Sequence, residues 1–373
     1  MVGGGTGGHI YPAIAIAEAI QEVDIDSQIL FVGSDDGIET RIIPKERFSL
    51  ATIRARRMLR IISFRSLMAP FYAVLAFIDS IKVLNNFKPD AIVATGGFVS
   101  LPVVFAGVFK RVPVLLHEGN VTPGLSTRIC KWFAKRITVA FESSRRYYRF
   151  RRVYCTGGPV RRQIIKAVRG ISIQNMGMKQ DNKYLLVLGG SQGARSINNL
   201  IIELLPDLSG LNVQIIHICG ERNYDSIKDS AGQSYTNYHL IPYMYNIWDG
   251  LAAADLVISR AGATAISEIL ARGIPSILIP FPYSSECHQD HNADILKNSG
   301  AAIVINEKDL TKERLRDEII LILNDKELQQ KMKESCKPLV RQDSAKQVVE
   351  IMFQMLGIDI YARKRKKTKK QTA

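Results

Sequence analysis

Short runs of consecutive apolar residues, each closed by a glycine or a polar turn, recur along the chain. Residues 28–33 (QILFVG), 91–95 (AIVAT) and 112–117 (VPVLLH) show this form in the first half, without polar alternation. Strands buried on both faces of a parallel sheet read this way. Longer apolar stretches at 13–20 and 73–85 predict helices between them. The alternation restarts at 183–188 (KYLLVL) and continues through 213–219, 256–259 and 276–280. Two such β/α halves predict an α/β protein of two Rossmann-like α/β/α domains, with parallel sheets facing a central cleft. The turn-rich segment 153–161 (VYCTGGPVR) marks the boundary. The expected division is 1–157, 158–340, a helix at 341–360 packing back on the first domain, and a basic tail at 361–373.

Chemistry concentrates where strands end. Residues 3–12 (GGGTGGHIYP) put five glycines into six positions ahead of the first helix. Bare amides in a loop that opens a helix make an anion cradle, suited to a phosphate or diphosphate. His9 stands at its mouth, where it can take a proton near neutral pH. Only Met1 and Val2 precede Gly3, so the first strand is expected to be shortened or to begin upstream. Gly3, Gly5 and Gly8 also satisfy G-x-G-x-x-G, with Asp35 or Asp36 after the next strand, so a dinucleotide fingerprint is an alternative on these residues alone.

A second glycine loop, 189–195 (GGSQGAR), follows the strand at 183–188. A third turn of small residues, 260–268 (RAGATAISE), runs into a helix whose first amides, at Ala263 and Thr264, can hold a diphosphate. Glu268 would repel phosphate there, but it can accept hydrogen bonds from a ribose. The polar segment 281–292 (FPYSSECHQDHN) offers Gln289 as an amide for sugar hydroxyls. Cys287, His288 and His291 lack a fourth ligand, so no metal is expected. The turn after 112–117 brings Glu118 and Asn120 to a strand end, as candidate walls of a site.

At 373 residues the chain exceeds one ordinary core. Its five cysteines are scattered without a C-x-x-C pair, which argues against a zinc ribbon or a disulfide framework and for a reducing compartment. The opening residues lack signal-peptide form, and the apolar run 67–78 is too short to span a bilayer and contains Pro70. The net charge of +15 is partly local, with seven positive residues at 363–370 around Thr368. Further excess falls at Arg54, Arg56, Arg57, Arg60 and Arg65, and at Arg145, Arg146, Arg149, Arg151 and Arg152. The first cluster runs into Leu67, Met68, Pro70, Phe71 and Tyr72, a basic and apolar mixture that suits an anionic lipid surface. A solvated basic face is the alternative for either cluster. No RNA-binding or helix-turn-helix pattern accompanies the charge, so nucleic acid is not the expected partner.

GGGTGGHIYPAIAIAEAI, HEGN, GGPVR, GGSQGAR, SRAGATAISE and PFPYSSECHQDHNA follow one another from Gly3 onward. In order and spacing they resemble the MurG family of peptidoglycan N-acetylglucosaminyltransferases, over a match that runs to about Leu356. The resemblance implies a GT-B fold and an inverting, metal-independent transfer without a cofactor. It implies UDP-N-acetylglucosamine as donor and, as acceptor, the C4 hydroxyl of undecaprenyl-diphosphate-linked N-acetylmuramoyl pentapeptide (lipid I), giving lipid II and UDP. Carried over by position, Thr6, Gly7, Gly8, Asn120, Arg161, Ser191, Gln192, Ile241, Ala263, Thr264, Ala265, Ile266, Ser267, Glu268 and Gln289 fall at donor contacts. Gly5, Thr6, Gly7 and Gly8 fall at the acceptor's diphosphate. His9 is the first candidate for the base; Glu118 is the second, either orienting His9 or acting itself. Arg56, Arg57, Arg60, Leu67 and Phe71 are expected to hold the enzyme peripherally on the cytoplasmic face of the bacterial plasma membrane. HEGN has glycine where the family commonly has glutamine, and GGPVR has glycine where asparagine is common. A UDP-sugar epimerase of the same architecture, a nucleic-acid-binding protein and a dehydrogenase stand as rival readings.

Overall fold

The computed structural model describes residues 1–56, 68–149, 152–190, 193–232, 235–341 and 343–359. Arg57, Arg60, Arg65, Leu67, Arg151, Ser191, Gln192 and the basic tail lie outside the described residues. The chain divides into two units, Met1–Arg161 with the chain from Arg341 onward, and Arg162–Val340.

In the first unit the apolar runs pair in parallel. β1 (Leu30–Ser34) lies beside β2 (Ser49–Ile53), and β3 (Ile92–Ala94), β4 (Val114–Glu118), β5 (Arg136–Val139) and β6 (Val153–Cys155) follow in order. Met1 and Val2 join these two groups. Val2 bridges Val32 on one side and Ala94 on the other, donating to the Val93 carbonyl at 2.8 Å, while its own carbonyl accepts from Thr95 at 2.9 Å. Two residues thus occupy the central place in the sheet, fully buried at Val2, and lead directly into the glycine loop.

The first helix, α1 (Gly7–Val23), begins well before the apolar run at 13–20 that predicts it and contains Pro12. Glycine and proline are poor interior helix residues, so packing on both flanks sustains it. Ile10 and Ile14 belong to a cluster with Phe31, Ile42 and Ile43; Ile16 and Ile20 pack with Val348, Val349, Met352 and Phe353 of the helix Ser344–Met355. Gly158 to Arg161, expected in the second half, belong to the first unit. The Ser344 hydroxyl donates to the Gly158 carbonyl at 2.7 Å, and the Arg161 guanidinium lies 4.2 Å above the Tyr11 ring. α2 (Ala69–Phe87) and α3 (Ser100–Phe109) pack together, with α3 opening just after the Gly96–Gly97 turn at the end of β3.

The second unit is a parallel sheet of six strands. β7 (Lys183–Leu188), β8 (Val213–Ile218), β9 (Tyr238–Ile241), β10 (Leu256–Ser259), β11 (Ser276–Leu278) and β12 (Ala302–Val304) stand in the order β12-β11-β10-β7-β8-β9. The first strand, β7, is central, and its Leu185 and Val187 pack with Ile197, Ile201, Ile215, Ile258 and Ile277 in the core. α4 (Ala263–Arg272) leaves the C-terminal end of β10, and α5 (His288–Ser299) follows the loop after β11.

Candidate active site

The glycine loop of the first unit is built around a group the sequence gives little hint of. Gly5 takes φ +83°, and a Cβ there would lie 2.8 Å from the Phe98 ring. Its N–H, expected at the acceptor's diphosphate, instead donates to Oε2 of Glu39 at 3.1 Å. Oε1 of the same buried carboxylate accepts the Ser34 N–H at 2.8 Å and the Ser34 hydroxyl at 2.9 Å. Thr6 is extended at the helix N-cap, so the amides that open α1 are those of Gly7 and Gly8.

His9 lies in the first turn of α1, half-buried. Its Nδ1 is 2.9 Å from the Thr95 carbonyl, and the Thr95 hydroxyl donates to the His9 carbonyl at 2.7 Å. A carbonyl only accepts, so the neutral ring carries its proton on Nδ1 and its lone pair on Nε2. Gly96, at φ +105°, lets the ring lie against the backbone, since a Cβ there would stand 2.8 Å from Cε1 and Nδ1.

Glu118 does not orient His9. Buried at the end of β4, its Oε1 accepts the N–H of Asn120 at 2.9 Å and the Asn120 Nδ2 at 3.0 Å. Burial raises the Glu118 pKa, against the lowering effect of hydrogen bonds from Asn120 and Thr127. The Asn120 side-chain amide therefore spends a donor on its own turn, and the main-chain carbonyl of Asn120 accepts the Ser144 hydroxyl at 3.1 Å. Neighbouring His117 is neutral, because burial pushes its pKa down to about 3, and its Nδ1 meets the Thr138 hydroxyl at 3.0 Å. Arg161 is 2% exposed and, besides Tyr11, has Glu46 at 3.8 Å.

In the second unit, Gly262 caps α4 in an extended conformation, and its carbonyl accepts the N–H of Ile266 at 3.0 Å. Ala263, Thr264 and Ala265 thus form a first turn with the positive end of the helix dipole. The Ser267 hydroxyl turns back to the Ala263 carbonyl at 2.8 Å. Glu268 is buried, which excludes a solvent-facing residue of the first turn. Gln289, second in α5, accepts the Phe281 N–H on Oε1 at 3.0 Å, leaving its Nε2 hydrogens to donate. The Ile241 carbonyl accepts the Cys219 N–H at 3.1 Å. Gly193 closes the second glycine loop at φ +73°, where a Cβ would stand 2.1 Å from the Cys219 carbonyl oxygen.

Arg260 is a further residue that sequence patterning passes over. Buried after β10, it donates to the Ile279 and Pro280 carbonyls, each at 3.2 Å, and to the Ser196 hydroxyl at 3.0 Å, and it pairs with Glu307. It ties together the ends of two strands and the start of the helix Arg195–Ser209. A lone charge in the small-residue turn SRAGA was the available signal.

The basic segment differs from expectation. Arg56, assigned to anionic lipid, pairs with Asp35 and lies 5.6 Å from the Tyr72 ring, and Arg54 pairs with Asp79 at 2.7 Å. Their charge is answered within the protein. Apolar residues are exposed beside them instead: Phe71, Val74 and Ile78 on α2, and Phe105, Val108 and Phe109 on α3. Ala73, Phe77, Leu101, Pro102, Phe105, Val108 and Phe109 line a groove of about 530 Å³ there. Among the described residues no helix is long and apolar enough to cross a membrane.

Residues 1–139 match the glycosyltransferase family 28 N-terminal domain, and residues 184–350 match the family 28 C-terminal domain. The crystal structure of Acinetobacter baumannii MurG superposes with a TM-score of 0.69 at 23% identity, covering 95% of this chain and 98% of that one. That of UDP-GlcNAc 2-epimerase from Neisseria meningitidis gives 0.64 at 14% identity, covering 92% and 96%. At these identities the likeness is one of fold. Fold and family domains together define a glycosyltransferase of the GT-B class. Proteins of Thermoanaerobacter sp. (strain X514) and Halothermothrix orenii are 38% and 40% identical, over 94% and 90% of this chain and 97% and 92% of their own. Both are named UDP-N-acetylglucosamine--N-acetylmuramyl-(pentapeptide) pyrophosphoryl-undecaprenol N-acetylglucosamine transferase, and the chain belongs to that family.

Proposed function

We propose that this enzyme transfers N-acetylglucosamine from UDP-N-acetylglucosamine to the C4 hydroxyl of lipid I, by a single inverting displacement that needs no metal ion. The observation that carries the mechanism is the 2.9 Å approach of His9 Nδ1 to the Thr95 carbonyl: a carbonyl only accepts, so the proton sits on Nδ1 and Nε2 is the atom that accepts one. As the acceptor oxygen bonds to the anomeric carbon, its proton passes to Nε2 and the bond to UDP breaks. The departing diphosphate gathers negative charge, which the first-turn amides of α4 at Ala263 and Thr264 stabilise. Glu268 accepts from the ribose hydroxyls, the backbone at Ile241 meets the uracil, and Gln289 donates through Nε2 to the sugar. Thr6, Gly7 and Gly8 take the acceptor's diphosphate.

Glu118 has the weaker claim as base. Its carboxylate is already engaged by two donors of Asn120, so its role is to hold the HEGN turn in shape. His9→Gln is expected to lower kcat by about 10²-fold or more with UDP-N-acetylglucosamine affinity retained. A His9→Gln enzyme of near-normal kcat beside an inactive Glu118→Gln enzyme would reverse the assignment.

The acceptor's polyprenyl chain requires work at a bilayer, and the exposed apolar face of α2 and α3 supports peripheral attachment to the cytoplasmic leaflet. Arg56 contributes little there, being paired with Asp35.

A further inference from the structure

We propose that Glu39 is a positioning residue for the first glycine loop, holding the amides of Thr6 and Gly7 in place for the acceptor's diphosphate. The inference rests on the reading of that loop as the acceptor's seat. Glu39 is 1% exposed and opens the short helix Glu39–Ile42 after β1. Its two oxygens receive three hydrogen bonds, from the Ser34 N–H at 2.8 Å, the Ser34 hydroxyl at 2.9 Å and the Gly5 N–H at 3.1 Å. The last of these reaches across 34 residues of chain to the tip of the loop.

The surroundings are shaped to this one carboxylate. A Cβ on Gly4 would stand 2.6 Å from its Oε1, on Gly33 2.4 Å from its Cγ, and on Gly37 2.2 Å from its Cδ. Only glycine at these positions leaves room for Glu39 beneath the loop. An apolar side chain would fill the same space without the cost of desolvating a carboxylate. A negative charge beside an anion cradle also opposes the anion that the cradle holds. What the carboxylate supplies, and an apolar filler cannot, is an acceptor for Gly5. It draws that N–H inward at φ +83° and so sets the direction of the peptides that follow. His9 is coupled to the same loop, since its N–H donates to the Thr6 carbonyl at 3.1 Å.

The test compares Glu39→Gln, Ser34→Ala and Gly8→Asp by their KM for a short-chain lipid I analogue and for UDP-N-acetylglucosamine, with Tm measured alongside. In Glu39→Gln an amide NH2 replaces one oxygen and meets a donor, so the acceptor KM is expected to rise at least tenfold with the donor KM within twofold. Ser34→Ala removes the hydroxyl's bond to the carboxylate, keeps the Ser34 and Gly5 N–H donors, and should leave both KM values within twofold. A folded Glu39→Gln enzyme whose acceptor KM moves less than twofold would overturn the proposal, as would parallel changes of both KM values and Tm in Glu39→Gln and Ser34→Ala. Should Glu39→Gln fail to fold, Gly37→Ala decides: its Cβ displaces the carboxyl from a position outside the cradle, with the same rise expected and an unchanged acceptor KM contradicting it. Gly8→Asp tests the underlying reading separately. If it raises the donor KM alone, the loop does not seat the acceptor and the proposal falls with that reading; an unchanged acceptor KM in Glu39→Gln beside a raised acceptor KM in Gly8→Asp overturns the role of Glu39 alone.

Discussion

At the scale of single residues, the site depends on side chains fixed by backbone carbonyls and by glycines that leave them room. Gly96→Ala places a methyl group against the His9 ring and strains a backbone at φ +105°. It is expected to lower kcat by roughly tenfold or more without weakening UDP-N-acetylglucosamine binding; a variant of normal kcat would show that the Thr95–His9 arrangement is dispensable. The buried histidines carry a separate prediction. Burial lowers the pKa of both His117 and His217 from 6.5 to about 3, so between those values the unfolded chain binds more protons than the folded one. Stability is therefore fully present above the unfolded value and falls as pH drops through the window, by up to about 1.4 kcal/mol per pH unit for each group. Tm measured from pH 7 to pH 4.5 should fall, and His117→Gln should flatten the slope; an unchanged slope would contradict it. His9, Glu268 and Gln289 stand out in the sequence as candidates because each sits in a short motif with its neighbours. Glu39 and Arg260 are not, because their partners lie far along the chain: Gly5 is 34 residues from Glu39, and Glu307 is 47 from Arg260. Local patterning carries no trace of such pairs.

At the scale of elements, strands were the more readable. Runs such as KYLLVL lie at the centre of a sheet covered on both faces, and continuous apolar sequence is what that position requires. The start of α1 was not readable, because Gly7, Gly8 and Pro12 read as loop; the burial of Ile10, Ile14 and Ile16 between two clusters overrides propensity there. Similarly, Met1 and Val2 look too short for a strand, yet the ladder bonds of Val2 to both neighbours place them in the sheet. The second glycine loop offers a test at this scale. Gly193→Ala, strained at φ +73° and pressed on the Cys219 carbonyl, should reduce the thermal shift caused by UDP-N-acetylglucosamine while leaving lipid I analogue binding intact. Equal donor affinity in the variant would remove this loop from the donor site. In the core beside it, Ile201→Ala should cost about 2–5 kcal/mol in a denaturant titration, since a fully buried side chain is lost.

At the scale of the whole molecule, the net charge of +15 suggests an anionic surface, but the placement of the charges changes which residues meet it. Arg54 and Arg56 are answered by Asp79 and Asp35, while α2 and α3 expose aromatic and aliphatic side chains. Attachment through this face predicts that Phe71→Asp with Phe109→Asp weakens sedimentation with anionic vesicles by about tenfold or more, and that charge reversal at Arg56 does less. Vesicle binding that ignored the aromatic substitutions and tracked Arg56 would return the role to the basic cluster. The central claim, transfer to a lipid-linked acceptor, is tested most directly by UDP release from UDP-N-acetylglucosamine in the presence of EDTA, with and without a short-chain lipid I analogue. Release that requires the analogue, survives EDTA and yields the disaccharide-linked lipid is the predicted result. Donor turnover to free sugar without any acceptor, as an epimerase of the same fold would give, would contradict it.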